Sequence, residues 1–559
     1  RGKGKLIVPV QDKRDSSTRK SSSYLLDGLR EDLDGESPEF DKGLINNIRE
    51  STISYFYHLS KSHGINTALV DSDAERSSSE HPRNKVQKEI EALISRIVEK
   101  YCEQSLKPVS GVGSDDLLRF RKIILEIFEH HAREKEIGLD QVDSAYNEVL
   151  RLEESYGVNI SPQVSRVYSA LAHLYSSLAQ KKESGIKSNE WIASYDKAVE
   201  IYERVLKYEA DSILKTCVHK KLGDIYSKIS EHRDKSENCK RAIKSYEGAL
   251  EFYSLETLPV DYAGALNNLG VAYDALAEVE NKAENSKKAI ESYREALKVR
   301  TFESAPLDYA ATQNNLGIAY SVLAEVEDKT QNCTRAIEAH EEALKVFANR
   351  EFPAEFAGTQ KNLGNAYRTL AEEKNETENC IRAIEAYEKA LSVYNPGSFP
   401  MDYAMTQNNL GAAYDLLAQE TEHCRKAVEA YYEALNIYTL KNFPAQYATT
   451  QNNLGNAYST FAEIEDKAEN CKKAIEAYDE ALKVRTFESS PMDYGMTQNN
   501  LGVAFITLAK LENQVENCRK AIKAYKEAVR VYTLADFPVN YGMIKNNLGA
   551  AYSAIAEAE

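Results

Sequence analysis

The chain has 559 residues and a formal net charge of −17. A single globular core is not expected at this length, so the sequence predicts several domains or a repeat array. The acidic balance disfavours a protein that binds nucleic acid regardless of sequence, because such proteins need a basic surface that displaces counterions. No apolar run reaches the roughly 20 residues of a membrane-spanning helix, and no signal-peptide core precedes the body. We therefore expect a cytoplasmic protein that binds neither nucleic acid nor membranes.

The first 116 residues divide into a tail and a helical region. Residues 1–40 are rich in Ser, Lys and Asp, as in "DKRDSSTRKSSS", and are predicted to be a flexible basic tail or linker. Residues 41–116 are predicted to form an N-terminal helical region, with amphipathic helices at 41–64 and 84–105. These helices could cap the array that follows or belong to a second domain.

The rest of the chain is predicted to consist of helix pairs, divergent over residues 117–209 and regular over residues 210–559. Its equivalent glycines lie at intervals of 47 residues, with one interval of 44: 223, 270, 317, 364, 411, 455, 502 and 549. A fixed period of this length is typical of a solenoid or array. The last unit stops after its first helix and the chain begins with Arg1, so we expect the sequence to be a fragment of a longer protein.

Each unit is predicted to contain two helices, called A and B. In one unit, helix A runs from about Met401 to Gln419, and helix B from about Cys424 to Tyr438. Gly411 is predicted where a neighbouring helix approaches closely. Prolines precede helix A at 259, 306, 353, 400, 444, 491 and 538. The predicted N-caps of helix B are Asn238, Asn285, Asn332, Asn379, Asn470 and Asn517.

Six of the eight cysteines occupy one equivalent repeat position, where the second unit has Ser286. Equivalent positions of stacked helix pairs lie farther apart than the ~7 Å Cα separation that a disulfide allows. Free, reduced thiols are therefore predicted. A thiol near a helix N-terminus can have a lowered pKa, but six equivalent reactive thiols are less expected than six small packing residues.

The order of residues within a unit resembles that of the tetratricopeptide repeat family. In one unit the residues that carry the resemblance are Leu454, Gly455, Tyr458, Ala474, Tyr478, Ala481 and Pro491. The unit of 47 residues is longer than the family's usual unit of about 34, and with its "NNL" segment it is most similar to the kinesin light chain type of repeat. The resemblance implies an all-α fold, an α-solenoid that forms a right-handed superhelix of antiparallel helix pairs. It also implies that helices A line a concave peptide-binding groove, without specifying a ligand.

The sequence contains none of the common catalytic or cofactor-binding motifs. There is no GxxxxGK[ST], HExxH, paired CxxC or GxSxG. His130 and His131 are adjacent in a predicted helix and point in different directions, so a structural or surface role is expected rather than a metal site. We therefore expect no catalytic residue, no metal and no cofactor.

The segment "TQNNLG" places two neighbouring asparagines on most A helices. A side-chain amide offers two donors and an acceptor, so a row of amides can bind the backbone of an extended peptide whatever its side chains. The alternative is that one asparagine of each pair bridges adjacent helices. We expect the first asparagine to bind a ligand and the second to be structural. The predicted peptide-binding residues are Asn267, Asn314, Lys361, Asn365, Arg368, Asn408, Asn452, Asn456, Asn499 and Asn546.

One unit departs from this pattern, because it reads "TQKNLGNAYRTL". Its Lys361 and Arg368 lie on the same stripe of helix A as the asparagines. Two cations there could bind a carboxylate or an acidic side chain. Alternatively, they neutralise neighbouring acids such as Asp415.

These features predict a non-enzymatic scaffold that binds a peptide segment or a partner protein, including an acidic one, in the groove of the superhelix. The alternative is the sensor or regulatory portion of a larger enzyme, whose nucleotide-switch or protease domain lies outside this chain. RNA binding is weakened by the acidic charge and by groove residues that are too uniform for a base code. The oligomeric state is not predicted.

Overall fold

The computed structural model describes residues 139–156, 168–169, 171–173, 175–180, 190–208, 212–348 and 351–558. All of them lie in Ser95–Glu559, the second of two units into which the chain divides. The predicted tail (1–40), the predicted N-terminal helical region (41–116) and His130–His131 lie outside the described residues.

Seventeen helices are described, and short turns connect those of the regular array. Their bounds are α1 Leu139–Tyr156, α2 Glu190–Tyr208, α3 Ser212–Ser230, α4 Lys235–Leu250, α5 Pro259–Ala277, α6 Lys282–Ala296, α7 Pro306–Ala324, α8 Lys329–Phe347, α9 Pro353–Ala371, α10 Glu376–Leu391, α11 Pro400–Leu416, α12 Thr421–Leu435, α13 Pro444–Ile464, α14 Lys467–Leu482, α15 Pro491–Ala509, α16 Gln514–Val531 and α17 Pro538–Ala558.

From α3 onwards the odd-numbered helices are the A helices and the even-numbered helices are the B helices. Each B helix packs against the A helix before it and the A helix after it, and consecutive A helices also contact each other. No strand is present among the described residues. The predicted all-α solenoid of antiparallel helix pairs is therefore confirmed.

The regular spacing of glycine and proline has a direct structural cause. Each of the seven predicted prolines is the first residue of an A helix, where its missing N–H leaves no hydrogen bond unmade. A Cβ on Gly455 would lie 2.5 Å from the Tyr478 ring, so helices A and B meet at this glycine. The same contact joins Gly411 to Tyr431, as the sequence predicts for a close approach.

The core runs continuously through the array. One cluster of buried side chains extends from Ala289 to Ala524, with leucines from the A helices and alanines and tyrosines from both sets. The tyrosines that face the glycines are almost completely buried, including Tyr293 and Tyr387. Because each unit buries its apolar face against the next, the packing is between neighbours, as in other solenoids.

The predicted N-caps of the B helices are wrong. Asn470 is the fourth residue of α14, is buried, and its Nδ2 donates to the backbone oxygen of Glu465 at 2.8 Å. The residue before the helix, Asp466, has φ 45° and makes no capping hydrogen bond with its side chain. The other B helices that share this left-handed residue have Asp234, Asn281, Asp328, Asn375 and Asn513 there. Short Asx side chains tolerate this conformation better than most residues do.

The unit that is three residues shorter closes its turn differently. Glu420, the residue before α12, is extended rather than left-handed. His423 occupies the position of the buried asparagine, and its Nδ1 lies 3.0 Å from the backbone oxygen of Leu417. The imidazole thus replaces the carboxamide, and Cys424 remains buried at the usual position.

Candidate functional site

The ten predicted peptide-binding residues all lie on A helices. Within each helix they fall near one stripe, which for α11 contains Met401, Met405, Asn408 and Ala412. We call this stripe, with its equivalents on α5 to α17, the A face. The first asparagine is half-buried on α5, α7, α11 and α15, buried on α13 and exposed on α17.

Four of the first asparagines accept hydrogen bonds from the next unit. Asn452 is only 2% exposed, and its Oδ1 accepts a hydrogen bond from the Thr497 hydroxyl at 3.0 Å. The Oδ1 of Asn267 likewise accepts a hydrogen bond from Thr312 at 3.1 Å. Since these oxygens are used inside the array, a ligand on the A face would meet mainly the Nδ2 donors. Peptide binding by the first asparagines stays a prediction.

Six of the asparagines at the second position donate an Nδ2 hydrogen to the preceding unit, whereas the Oδ1 of Asn499, which would be the acceptor for Asn547, is buried without a partner among the described residues. Where the residue after the preceding glycine is polar, that residue is the acceptor: Asn268 to Asp224 at 3.1 Å, Asn409 to Asn365 at 2.9 Å and Asn500 to Asn456 at 3.1 Å. Where that residue is apolar, the acceptor is the first asparagine: Asn315 to Asn267 at 3.4 Å, Asn362 to Asn314 at 3.3 Å and Asn453 to Asn408 at 3.3 Å. The second asparagines therefore link consecutive A helices.

Asn365 and Asn456 belong to the same network. The Oδ1 of Asn365 accepts hydrogen bonds from the Tyr387 hydroxyl at 2.8 Å and from Asn409. The Oδ1 of Asn456 accepts hydrogen bonds from Tyr478 at 2.8 Å and from Asn500. Both oxygens already have two donors, so only the Nδ2 groups of these residues remain for a partner.

The two cations of the exceptional unit are each paired with an acid. Lys361 Nζ lies 2.9 Å from Asp402 Oδ1 and 5.8 Å from the centre of the Tyr394 ring. Arg368 lies 3.6 Å from Glu372, four residues later in the chain. Neutralisation by neighbouring acids is thus present, although the acids are Asp402 and Glu372 rather than Asp415. A partner carboxylate would have to displace Asp402.

The buried Arg485 and the half-buried Arg300 extend the network, and neither was predicted from the sequence. Arg485 donates to Thr497 at 3.0 Å and to Thr449 at 3.1 Å, and Arg300 donates to Thr312 at 2.9 Å. Burial lowers the pKa of both guanidinium groups. The signal in the sequence is the shared segment "VRTFES", since most other units have Tyr or Phe at the position of the arginine.

The A face also carries exposed apolar side chains, which were not predicted as site residues. All five methionines of the chain lie there and are 38–50% exposed: Met401, Met405, Met492, Met496 and Met543. Val260 and Leu307 occupy equivalent positions and are also exposed. Methionine is usually found in cores, and exposed apolar patches commonly mark interaction surfaces. The detectable signal was that every methionine lies either ten or six residues before the glycine of its unit.

The cysteines have the properties of packing residues. Among the described residues seven cysteines are free, and the six at the repeat position are buried. Burial raises the pKa of Cys333 and Cys380 to about 11, so neither thiol is activated. In the described part of the chain no group of three or more His, Cys, Asp or Glu side chains could hold a metal ion. No described helix is long and apolar enough to cross a membrane.

Comparison with known proteins finds distant structural similarities only. No protein-family model matches the chain, and no curated protein does. The chain is similar to the apo form of RapI, with 14% identity, a TM-score of 0.40, and coverage of 74% of this chain and 97% of that one. The C-terminal part of a TPR repeat-containing protein from Cytophaga hutchinsonii has 16% identity, a TM-score of 0.35, and coverage of 59% and 98%. BtubC (BKLC) from P. vanneervenii has 21% identity, a TM-score of 0.33, and coverage of 44% and 89%. At these TM-scores none of the similarities assigns a function.

Proposed function

We propose that the chain is a non-enzymatic scaffold of the tetratricopeptide type, which binds an extended segment of a partner protein along the A face. The observation that carries this proposal is the row of exposed methionines beside the amides of consecutive A helices. Met405 and Met496 belong to different units and are each 38% exposed. An unbranched, polarisable side chain adapts to many apolar surfaces, which suits a binding face.

The geometry of the A face fits an extended backbone better than a compact ligand. The amides recur once per unit, so a segment that crosses several units meets one set of Nδ2 donors after another. The neighbouring methionines would bury apolar side chains of the same segment. We propose the combination of backbone hydrogen bonds and apolar contacts as the mode of recognition.

The proposal that the partner is acidic rests on one residue, Lys361. Lys361 is the only cation at the first-asparagine position of the described A helices other than Lys220 of α3. Its side chain is 12% exposed, and its partner Asp402 is 39% exposed. An acidic side chain of the partner could replace Asp402 as the counterion of Lys361, because Asp402 is the exposed member of the pair.

The absence of enzymatic activity and a cytoplasmic location are part of the same proposal. Buried thiols with raised pKa values support packing rather than nucleophilic chemistry. Seven free cysteines among the described residues support a reducing compartment.

Site-specific photocrosslinking tests the proposal. A benzophenone amino acid at Met405 or Met496 of the full chain should give an adduct with a protein from an extract of the source cells. The control position is Ile381, which is 46% exposed but lies on a B helix. Adducts at the A-face positions and not at Ile381 support the proposal, and K361A should lower their yield if the partner is acidic. Equal adducts at all three positions, or none at the methionines, would contradict it.

A further inference from the structure

A tyrosine-centred arrangement recurs on the other side of the array, between consecutive B helices. Three residues after each glycine, the A helix carries an aromatic ring, and a cation of the following B helix lies 5.5–5.9 Å from the ring centre in seven units. In four units the tyrosine hydroxyl donates to a glutamate of the preceding B helix: Tyr226 to Glu203, Tyr273 to Glu247, Tyr367 to Glu341 and Tyr414 to Glu388. In those four units one cation and one acid thus contact the same tyrosine.

Tyr320 is an exception to this arrangement. The position of the glutamate is occupied by Arg294, whose guanidinium donates to the Tyr320 hydroxyl. The Cζ atom of Arg294 lies 5.6 Å from the ring centre, and that of Arg335 lies 5.7 Å from it. Two guanidinium groups therefore share a ring that in those four units carries one cation and one acid.

The second acid of the arrangement is missing in the same unit. In other units the cation also pairs with a glutamate four residues earlier, as in Arg241–Glu237 at 3.0 Å and Arg382–Glu378 at 2.7 Å. At Arg335 that residue is Gln331. Within the described residues, neither Arg294 nor Arg335 has a carboxylate oxygen at ion-pair distance. Both replacements, of a glutamate by Arg294 and of a glutamate by Gln331, make the local charge more positive.

These residues line an open cleft of about 510 Å³ between α6, α7 and α8. We call it the B-face cleft, and the lining residues used here are Ile290, Arg294, Tyr320, Leu323, Gln331 and Arg335. Ile290, Leu323 and the Tyr320 ring are buried and form an apolar wall. The two arginines provide N–H donors beside that wall.

The acids in the same cleft do not distinguish it from other units. Glu327 is paired with Lys287 at 2.6 Å, and Glu295 with Lys298 at 2.5 Å. Asp328 is the left-handed residue of the turn, a position that carries Asp or Asn in other units. Glu291 also lines the cleft, and glutamate occupies the equivalent position of several units. Arg294 and Gln331 replace the glutamates of other units. Among the cleft's charged and amide side chains, these are the two replacements that favour binding of an anion.

We propose that the B-face cleft binds an oxyanion, a phosphate or a carboxylate, carried on a small apolar stem. Guanidinium groups bind such anions through paired, charge-assisted hydrogen bonds. The anion would lie between Arg294 and Arg335, and the stem against Ile290, Leu323 and the Tyr320 ring. This site is separate from the A face, so its failure would leave the proposed peptide binding untouched.

Calorimetric titration of the full chain with phenyl phosphate and with benzoate tests the site. The two probes share a ring and differ in the anion, and low ionic strength limits screening of the arginines. We expect a saturable isotherm with one site per chain. Binding of phenyl phosphate alone identifies a phosphate site, and binding of both identifies a general oxyanion site. Absence of binding by either probe would overturn the proposal.

Two substitutions that restore the repeat pattern, at Arg294 and at Gln331, are expected to remove the site. R294E copies Glu247, Glu341 and Glu388, and Q331E copies Glu284 and Glu378, so each variant restores contacts that neighbouring units already make. We expect each to weaken binding at least tenfold and the double variant to abolish it, with helicity and thermal midpoint retained. Unchanged affinity in a folded double variant would overturn the assignment.

The converse change should create a second site. Tyr367 and Arg382 lie in the next unit, where E341R and E378Q would reproduce the two arginines, the tyrosine and the glutamine of the B-face cleft. The double variant is expected to raise the stoichiometry from one to two phenyl phosphates per chain. A folded double variant that still binds one phenyl phosphate per chain would show that the two replacements are not sufficient to form the site.

Discussion

At the scale of single residues, glycine is required in the A helices because a ring of the following B helix packs directly against it. A Cβ at Gly270, Gly364, Gly455 or Gly502 would meet the facing tyrosine at 2.5–2.6 Å, a separation that real side chains do not adopt. The ring cannot retreat, because Tyr293, Tyr387, Tyr478 and Tyr525 are themselves buried. Loss of the glycine therefore forces helices A and B apart.

Alanine substitution at two glycines distinguishes the effect of this contact on stability from the effect of helix propensity. Gly455→Ala should destabilise the chain by about 1–3 kcal/mol through overpacking against Tyr478. Gly549→Ala should stabilise it by roughly 0.5–1 kcal/mol, because nothing lies within 4 Å of its Cβ and alanine favours the helix. Thermal unfolding followed by circular dichroism checks both. Effects of the same sign would contradict the packing explanation.

Two half-buried aspartates, Asp274 and Asp415, make the stability of the array depend on pH. Burial raises the pKa of Asp274 and of Asp415 to about 7, against the opposing hydrogen bonds from Tyr293 and Tyr431. One oxygen of each carboxyl, Oδ1, is buried without a hydrogen-bond partner among the described residues. Glu278 raises the pKa of Asp274 further.

We expect Asp274→Asn to stabilise the protein at pH 8 and to stabilise it less at pH 5. The folded-state pKa lies above the unfolded value, so the folded chain binds the proton more tightly and this contribution is lost as pH rises towards about 7. Asparagine keeps an acceptor for Tyr293, as Asn365 does for Tyr387. The thermal midpoint should rise by about 2 °C or more at pH 8. A rise of equal size at both pH values would contradict the ionisation of Asp274.

At the scale of elements, the turn between helices A and B depends on one left-handed residue and one buried carboxamide. Asp466 reverses the chain, and the Asn470 side chain satisfies the Glu465 carbonyl that the turn leaves without a helical partner. Periodicity cannot distinguish this arrangement from an N-cap, because both place a polar residue near the start of the helix. The boundary was therefore predicted about four residues too late.

The two residues of this turn should respond differently to substitution. Asn470→Ala should cost about 1–3 kcal/mol, since it leaves a buried carbonyl without a donor. Asp466→Gly should be neutral or stabilising, because glycine adopts the left-handed conformation without strain. Chemical denaturation of both variants measures the difference. Equal destabilisation would show that the carboxamide is not the essential part of the turn.

At the scale of the whole molecule, the sequence was informative where a residue acts within its own unit. The period, the prolines and the approach at Gly411 follow from local spacing, and the structure confirms them. Contacts between units were not predictable. The acid that pairs with Lys361 lies 41 residues later, on the next A helix, and stacking alone brings it close. The exposed methionines were visible as a pattern, but exposure depends on which side of helix A the neighbouring units cover.

The choice of acceptor for the second asparagine also bears on how such an array can change in length. That asparagine finds an oxygen whether the preceding unit has a polar residue after its glycine, as at Asn365, or an apolar one, as at Ala412. At six junctions the asparagine therefore has an acceptor in either kind of neighbour. Duplication or deletion of whole units by recombination would leave such an acceptor available at new junctions of either kind, and the gene could lengthen or shorten the scaffold one helix pair at a time.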